Sequence, residues 1–75
     1  MRKVYIDLRS GRLVQQFVNT INLMEGSFNI ISGHSNINAK STLGIYTLDL
    51  SKPLLLHIEE DTTENMEMLD IFIVK

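Results

Sequence analysis

Chemistry in this 75-residue sequence has few places to start. In "NAKSTLGIYTL", residues 38 to 48, a Lys-Ser pair (Lys40 and Ser41) stands in front of an apolar run with helical spacing. A serine in that position reads first as an N-cap, its side-chain oxygen accepting one of the first free N–H groups of the helix. A second serine, Ser10, lies between Arg9 and Arg12 ahead of another helical run. It too reads first as a cap. The outward-pointing N–H groups behind it, flanked by two guanidinium groups, make Arg9 and Arg12 candidate anion contacts. Ser10 is not expected to act as a nucleophile, since an unactivated hydroxyl is weak and no adjacent histidine or carboxylate base is evident in the sequence. Imidazole is the side chain suited to such work near neutral pH. His34 and His57, however, fall in a turn and on a strand, where they read as surface or partly buried residues. No cysteine is present, which excludes disulfides and thiolate metal sites, and no metal or cofactor is expected.

The elements that must position these residues emerge from periodicity. Residues 3 to 8, "KVYIDL", alternate, with Val4, Ile6 and Leu8 on one face, as in a half-buried strand. Leu13, Val14, Phe17, Val18, Ile21 and Met24 then recur at helical spacings as one stripe. Ser10 is its N-cap and Gly26 its stop. "SFNIIS" and "SNINA" flank "GHS", so residues 27 to 39 read as a hairpin with Gly33 in the tight turn. From Ser41, Ile45 and Leu48 fall on one side of a short helix and Leu43, Tyr46 and Leu50 on another, more apolar surface than so short an element can bury. Gly44 lowers its helix propensity but leaves room for close approach. Pro53 opens "PLLLHIEE", a strand that turns Leu54, Leu56 and Ile58 toward the core. Asp61, Thr62 and Thr63 are capping candidates for a last helix, with Glu64 and Glu67 near its positive end and Met66, Leu69 and Ile73 on its apolar stripe.

The order is thus βαββαβα, with no linker, repeat or low-complexity segment. A chain too short for two layers of helices should form one α+β domain over residues 1–75: an open-faced sandwich with a four-stranded, mainly antiparallel sheet and three helices on one face. By size scaling such a domain buries only roughly 60% of the surface its unfolded chain exposes. The composition, 44% hydrophobic and 21% charged with a net charge of -2, is that of an ordinary soluble protein. The start, "MRKVYIDLRS", turns polar too soon for a signal peptide, and no apolar run suffices to span a bilayer, so a cytoplasmic location is expected without membrane contact. Four of seven basic residues (Arg2, Lys3, Arg9, Arg12) lie in the first twelve positions, and six of nine acidic ones lie between Glu59 and Asp70. Small poles of opposite sign do not argue for DNA or RNA as a partner.

"INAKSTLGIYTLDLS", following a strand, a helix and a hairpin, resembles HPr, the histidine-containing phosphocarrier family of the bacterial sugar phosphotransferase system. Without gaps, "QQFVNT" falls on that family's first helix, "NAKS" on its regulatory serine segment, "TLDL" on the end of its second helix, and residues 61 to 75 on a shortened last helix. The family carries phosphate on a histidine in a Gly-Leu-His-any-Arg-Pro pattern. Here the stretch is Leu8, Arg9, Ser10, Gly11, Arg12, Leu13, so that Ser10 replaces the histidine, Leu13 the proline, and Arg12 alone is in register.

The resemblance implies an HPr-like protein that is not an enzyme and works by protein contact, similar to the histidine-lacking catabolite-repression HPr. Ser41 is then the phosphorylation position and Lys40, Thr42, Leu43 and Tyr46 the partner-binding positions. The implied partners are HPr kinase and a transcriptional regulator of carbon use. Two alternatives stand beside it: a phosphocarrier with a non-standard acceptor, and a degenerate structural or assembly module. The shortened last helix is also expected to leave a sheet edge partly uncovered, so the chain is read as a monomer or weak dimer.

Overall fold

A computed structural model describes residues 2–74. The strands are β1 (Arg2–Ile6), β2 (Phe28–Ser32), β3 (Ser35–Asn38) and β4 (Leu54–Ile58), and the helices are α1 (Gly11–Asn22), α2 (Thr42–Tyr46) and α3 (Thr63–Leu69), with a 3-10 turn at Asp70–Phe72 after the last. All strand pairs are antiparallel, in the order β1-β4-β2-β3. The architecture is the expected α+β open sheet. β4, drawn between β1 and β2, is the strand whose Leu54, Leu56 and Ile58 are buried while Leu55 and His57 alternate to the other side.

One core holds the layers together. Ile6, Phe28, Ile30, Leu54, Leu56 and Ile58 of the sheet pack with Val14, Phe17, Val18 and Ile21 of α1, Ile45 of α2 and Leu69 of α3. Phe17 meets Phe72 edge to face, with ring centroids 5.3 Å apart. The opposite face carries Lys3, His57, Asn29 and Asn38 in one cross-strand row and Tyr5, Leu55, Ile31 and Asn36 in the next. Among the described residues, no helix is long and apolar enough to cross a membrane.

The hairpin turn and the helix N-caps form where the sequence places them. Gly33 has φ +60° in the two-residue loop between Ser32 and Ser35, the first position of a II′-type hairpin turn, which an L side chain rarely adopts. Gly26, expected to stop the first helix, has φ +108° and lies against the Glu60 side chain. α1 ends earlier, at Asn22 with Leu23 as its C-cap, so Met24 is buried from the connection after the helix and not from its stripe. Of the three candidates for the last cap, Thr62 is used: its Oγ1 accepts the Asn65 N–H at 3.2 Å.

Four local expectations are corrected. The first strand stops at Ile6 rather than Leu8; Leu8 is fully buried but lies past the ladder. The second helix ends at Tyr46, so Leu48 and Leu50 pack from the adjoining turn and not from the helix. Ile73 does not continue the last helix. It forms an antiparallel bridge with Ile6, flanked by Asp7 N–H to the Phe72 carbonyl at 2.9 Å and Val74 N–H to the Tyr5 carbonyl at 2.8 Å. A sheet edge is expected to be partly uncovered; at the outer edge of β1, Phe72 to Val74 pair over Tyr5 to Asp7. Lys75, where the last helix is expected to end, lies outside the described residues.

Candidate functional site

The two serines singled out by sequence occupy equivalent places at two helix starts. Ser10 has extended backbone angles (φ -122°, ψ 152°) and its Oγ accepts the Leu13 N–H at 3.2 Å. Ser41 is likewise extended (φ -95°, ψ 102°), and its Oγ accepts the Gly44 N–H at 3.1 Å. Both are exposed caps, each satisfying one of the N–H groups that a helix start leaves without a partner.

Around Ser10 the two arginines have different surroundings. Asp7 receives Arg9 through a fork, with Nε at 3.0 and 3.1 Å from its two carboxylate oxygens and Nη2 at 2.9 Å, and also accepts the Arg9 backbone N–H at 3.1 Å. These bonds hold the Asp7 carboxyl below its ordinary range, chiefly through the side-chain bond from Arg9, and raise the Arg9 guanidinium further. Arg9 is thus engaged within its own loop. Arg12 is exposed and, among the described residues, makes no ion pair. Of the anion contacts expected at this helix start, Arg12 is the one with its charge still available. No base serves the Ser10 hydroxyl, whose hydrogen bond is to Leu13, while the neighbouring carboxylate of Asp7 is taken by Arg9. His34 sits in the hairpin turn, and His57 lies on the sheet face turned away from the helices, between Lys3 and Asn29, with a buried Nε2 that has no hydrogen-bond partner. Neither belongs to the helix-start surface.

Ser41 is held out by the residues before it. Ala39 is fully buried and its N–H bonds the Phe28 carbonyl at 2.8 Å, anchoring the chain as it leaves β3. Asn38 then accepts the Ser41 N–H on its carbonyl (2.9 Å) and the Lys40 N–H on its side-chain oxygen (2.9 Å). The "NAKS" run is therefore a small buried plug, an asparagine clasp, and a lysine and a serine presented to solvent.

α2 carries two of the exposed large apolar side chains, the others among the described residues being Tyr5, Leu23, Ile71 and Val74. Ile45 is its one buried residue, whereas Leu43 is 83% and Tyr46 51% exposed and Thr42 is half-buried. The Tyr46 hydroxyl lies 3.8 Å from where a Cβ on Gly11 would stand, which brings the end of α2 over the start of α1. Tyr46 thereby adjoins Gly11, the residue between Ser10 and Arg12, and Leu43 lies three residues before it on the same helix face. Tyr46 thus stands at the α1 end of the five-residue helix, with Ser41 and Lys40 at the opposite end.

Two participants are not evident from residue types alone. Asp7 diverts Arg9, although an aspartate accepting from the residue two positions on is a recurrent local motif, and the spacing of Asp7 and Arg9 fits it. Ile37 is the other. The close approach permitted by Gly44 is to Ile37 of β3, inside the molecule. No group of three metal-capable side chains comes together among the described residues.

No family model matches the chain, and no curated protein or solved structure matches it significantly.

Proposed function

We propose that this chain is an HPr-like regulatory protein that acts by binding other proteins through the surface built from the start of α1 and the exposed side of α2, and that phosphorylation of Ser41 modulates that binding. The single observation that carries the reading is the exposed pair Leu43 and Tyr46 on the helix that Ser41 caps. Tyr5, Leu23, Ile71 and Val74 are exposed as well, and what favours Leu43 and Tyr46 as a contact surface is their place three residues apart on the one helix that Ser41 caps. The order βαββαβα in one antiparallel sheet agrees with what the resemblance implies, and so does the presentation of "NAKS".

A phosphoryl relay is disfavoured by the surroundings of Ser10. Its oxygen faces no base, and a serine phosphate ester is too stable to pass its group on efficiently. At Ser41 a stable ester is an advantage, because a regulatory mark must persist. The phosphate would stand beside exposed Lys40 and add an anionic handle at one end of the apolar patch. The partners that suit this reading are an HPr kinase and a regulator of carbon use, and the site of action is the cytoplasm.

Intact-mass measurement after incubation with HPr kinase and ATP tests the proposal. The expected result is one phosphate on the wild type and none on Ser41→Ala. An unmodified wild type beside a labelled histidine-containing control removes the regulatory role. Incubation with phosphoenolpyruvate and the first enzyme of the phosphotransferase system, measured under alkaline conditions, should leave the mass unchanged; a stoichiometric phosphate there would establish a relay instead.

A further inference from the structure

We infer that Gly44 is a positioning residue for Ser41 and the contact side chains of α2, acting through the close seating of that helix on Ile37 of β3. The inference rests on the proposed role of Ser41 but draws on a separate observation. A Cβ at residue 44 would stand 2.6 Å from Ile37 Cγ2, 3.1 Å from Ser41 Oγ and 3.4 Å from Ser41 Cβ. The first distance cannot be sustained, so a side chain there must lift the helix or turn Ile37 aside.

Other reasons for a glycine are absent. Its φ is not positive, Gly26 and Gly33 being the positive-φ glycines among the described residues, so any L residue could adopt its backbone angles. Helix propensity opposes glycine, which is the poorest helix former after proline. Space is what remains.

That space lies where three things meet. The Gly44 N–H donates to Ser41 Oγ at 3.1 Å, and its carbonyl accepts the Thr47 hydroxyl at 2.6 Å and the Thr47 N–H at 3.1 Å. Its missing side chain faces both the sheet edge and the serine oxygen. With a single buried anchor, Ile45, α2 has little else to fix its position. A methyl group at residue 44 would push on the wall and on the cap at once, shifting the serine oxygen and the orientation of Leu43 and Tyr46 together.

Opposite signs make the test decisive. If only propensity mattered, Gly44→Ala would raise Tm; seating on Ile37 predicts a lower Tm. It also predicts amide exchange at residue 44 faster by about five- to tenfold, the change that loss of a serine cap implies. Ile37→Leu removes the branched Cγ2 at nearly constant volume, so Ile37→Leu/Gly44→Ala should return exchange to within about twofold of Ile37→Leu alone. With HPr kinase and ATP, kcat/KM for Ser41 should fall about tenfold in Gly44→Ala and recover in the double variant, as the cap does. A raised Tm with unchanged exchange in Gly44→Ala overturns the inference. A wild type that the kinase ignores overturns the role of Ser41, while melting and exchange still decide the seating independently.

Discussion

The two serine caps make nearly the same hydrogen bond, 3.2 Å from Leu13 at α1 and 3.1 Å from Gly44 at α2, and yet lead into helices of opposite character. α1 runs twelve residues and buries Val14, Phe17, Val18 and Ile21; α2 runs five and buries Ile45. The cap therefore does not distinguish a structural serine from a candidate reaction site. The helix behind each cap does: α1 turns its apolar face to the core, and α2 keeps Leu43 and Tyr46 outside. At α1 the surrounding charge is partly consumed by the Asp7–Arg9 pair, whereas Lys40 beside Ser41 has no ion-pair partner among the described residues.

The largest effect should come from breaking the helix that is bound into the core. Phe17 is fully buried against Phe72, and truncation to alanine loses both transfer energy and an aromatic contact, about 3–5 kcal/mol. For a domain of this size, whose total stability is of order 4–11 kcal/mol, denaturant titration should show a large drop in the unfolding midpoint. Ile45→Ala should cost less, near the lower end of the roughly 2–5 kcal/mol range, because a short helix with one anchor can settle into the space left behind. If Ile45→Ala proved as costly as Phe17→Ala, the contrast between a fixed and a loosely held helix would collapse.

Next come the caps themselves. Ser10→Ala and Ser41→Ala each remove one exposed side-chain bond to a backbone N–H and should each cost about 1 kcal/mol. Equal losses in denaturant unfolding, with local exchange rising only at the altered helix start, would sharpen the claim that the two serines are structurally equivalent. A loss confined to Ser10 would show that α2 is not held by its cap at all.

These elements are legible in sequence to different depths, for physical reasons. The stripe of α1, the core face of β4 and the cap at Ser41 are local patterns, set by a period or by one side chain and its near neighbours. Ile73 shows the limit: four residues after Leu69 it fits a helical stripe, but the unpaired edge of β1 offers hydrogen bonds that the periodicity cannot foresee. Leu48 and Leu50 fail similarly, since burial from a turn satisfies an apolar residue as well as burial from a helix. The patch itself is half visible. That α2 has more apolar surface than it can bury is a matter of spacing, whereas its adjacency to the start of α1, through Tyr46 and Gly11, depends on packing across the whole fold.

Smaller in stability but larger in function is the effect of removing the exposed side chains. Leu43→Ser with Tyr46→Ser should change unfolding free energy by no more than about 0.5 kcal/mol per site, as for exposed residues generally. The same pair should abolish kinase recognition of Ser41 in the mass assay. A destabilisation of several kcal/mol would instead mean that the two side chains belong to the fold, and the distinction between the helices would lose its functional half.

The smallest effect concerns charge at the start of α1 and is best read by titration. Arg9 lowers the Asp7 carboxyl through the fork of hydrogen bonds, and Ser51 lowers that of Asp49 through its hydroxyl and N–H. A folded value below the unfolded one means that the associated stability is present above the ordinary carboxylate range and is lost as pH falls through the folded value. Carboxyl carbon shifts tracked from neutral to acid pH should place both midpoints below 3.8, the ordinary aspartate value, and Arg9→Ala should return Asp7 toward it while leaving Asp49 unmoved. Because both groups are solvent-exposed, the thermal midpoint should scarcely respond. The more telling consequence is at the neighbouring helix start: Asp7→Asn weakens the fork and frees the Arg9 guanidinium near a start that also carries Arg12. If inorganic phosphate then shifts the amides of Gly11 to Leu13 in that variant and not in the wild type, the anion-receiving capacity of α1 is present but held in check by one carboxylate. If phosphate shifts them equally in both, Asp7 plays no such part, and the two helix starts are more alike than their surroundings suggest.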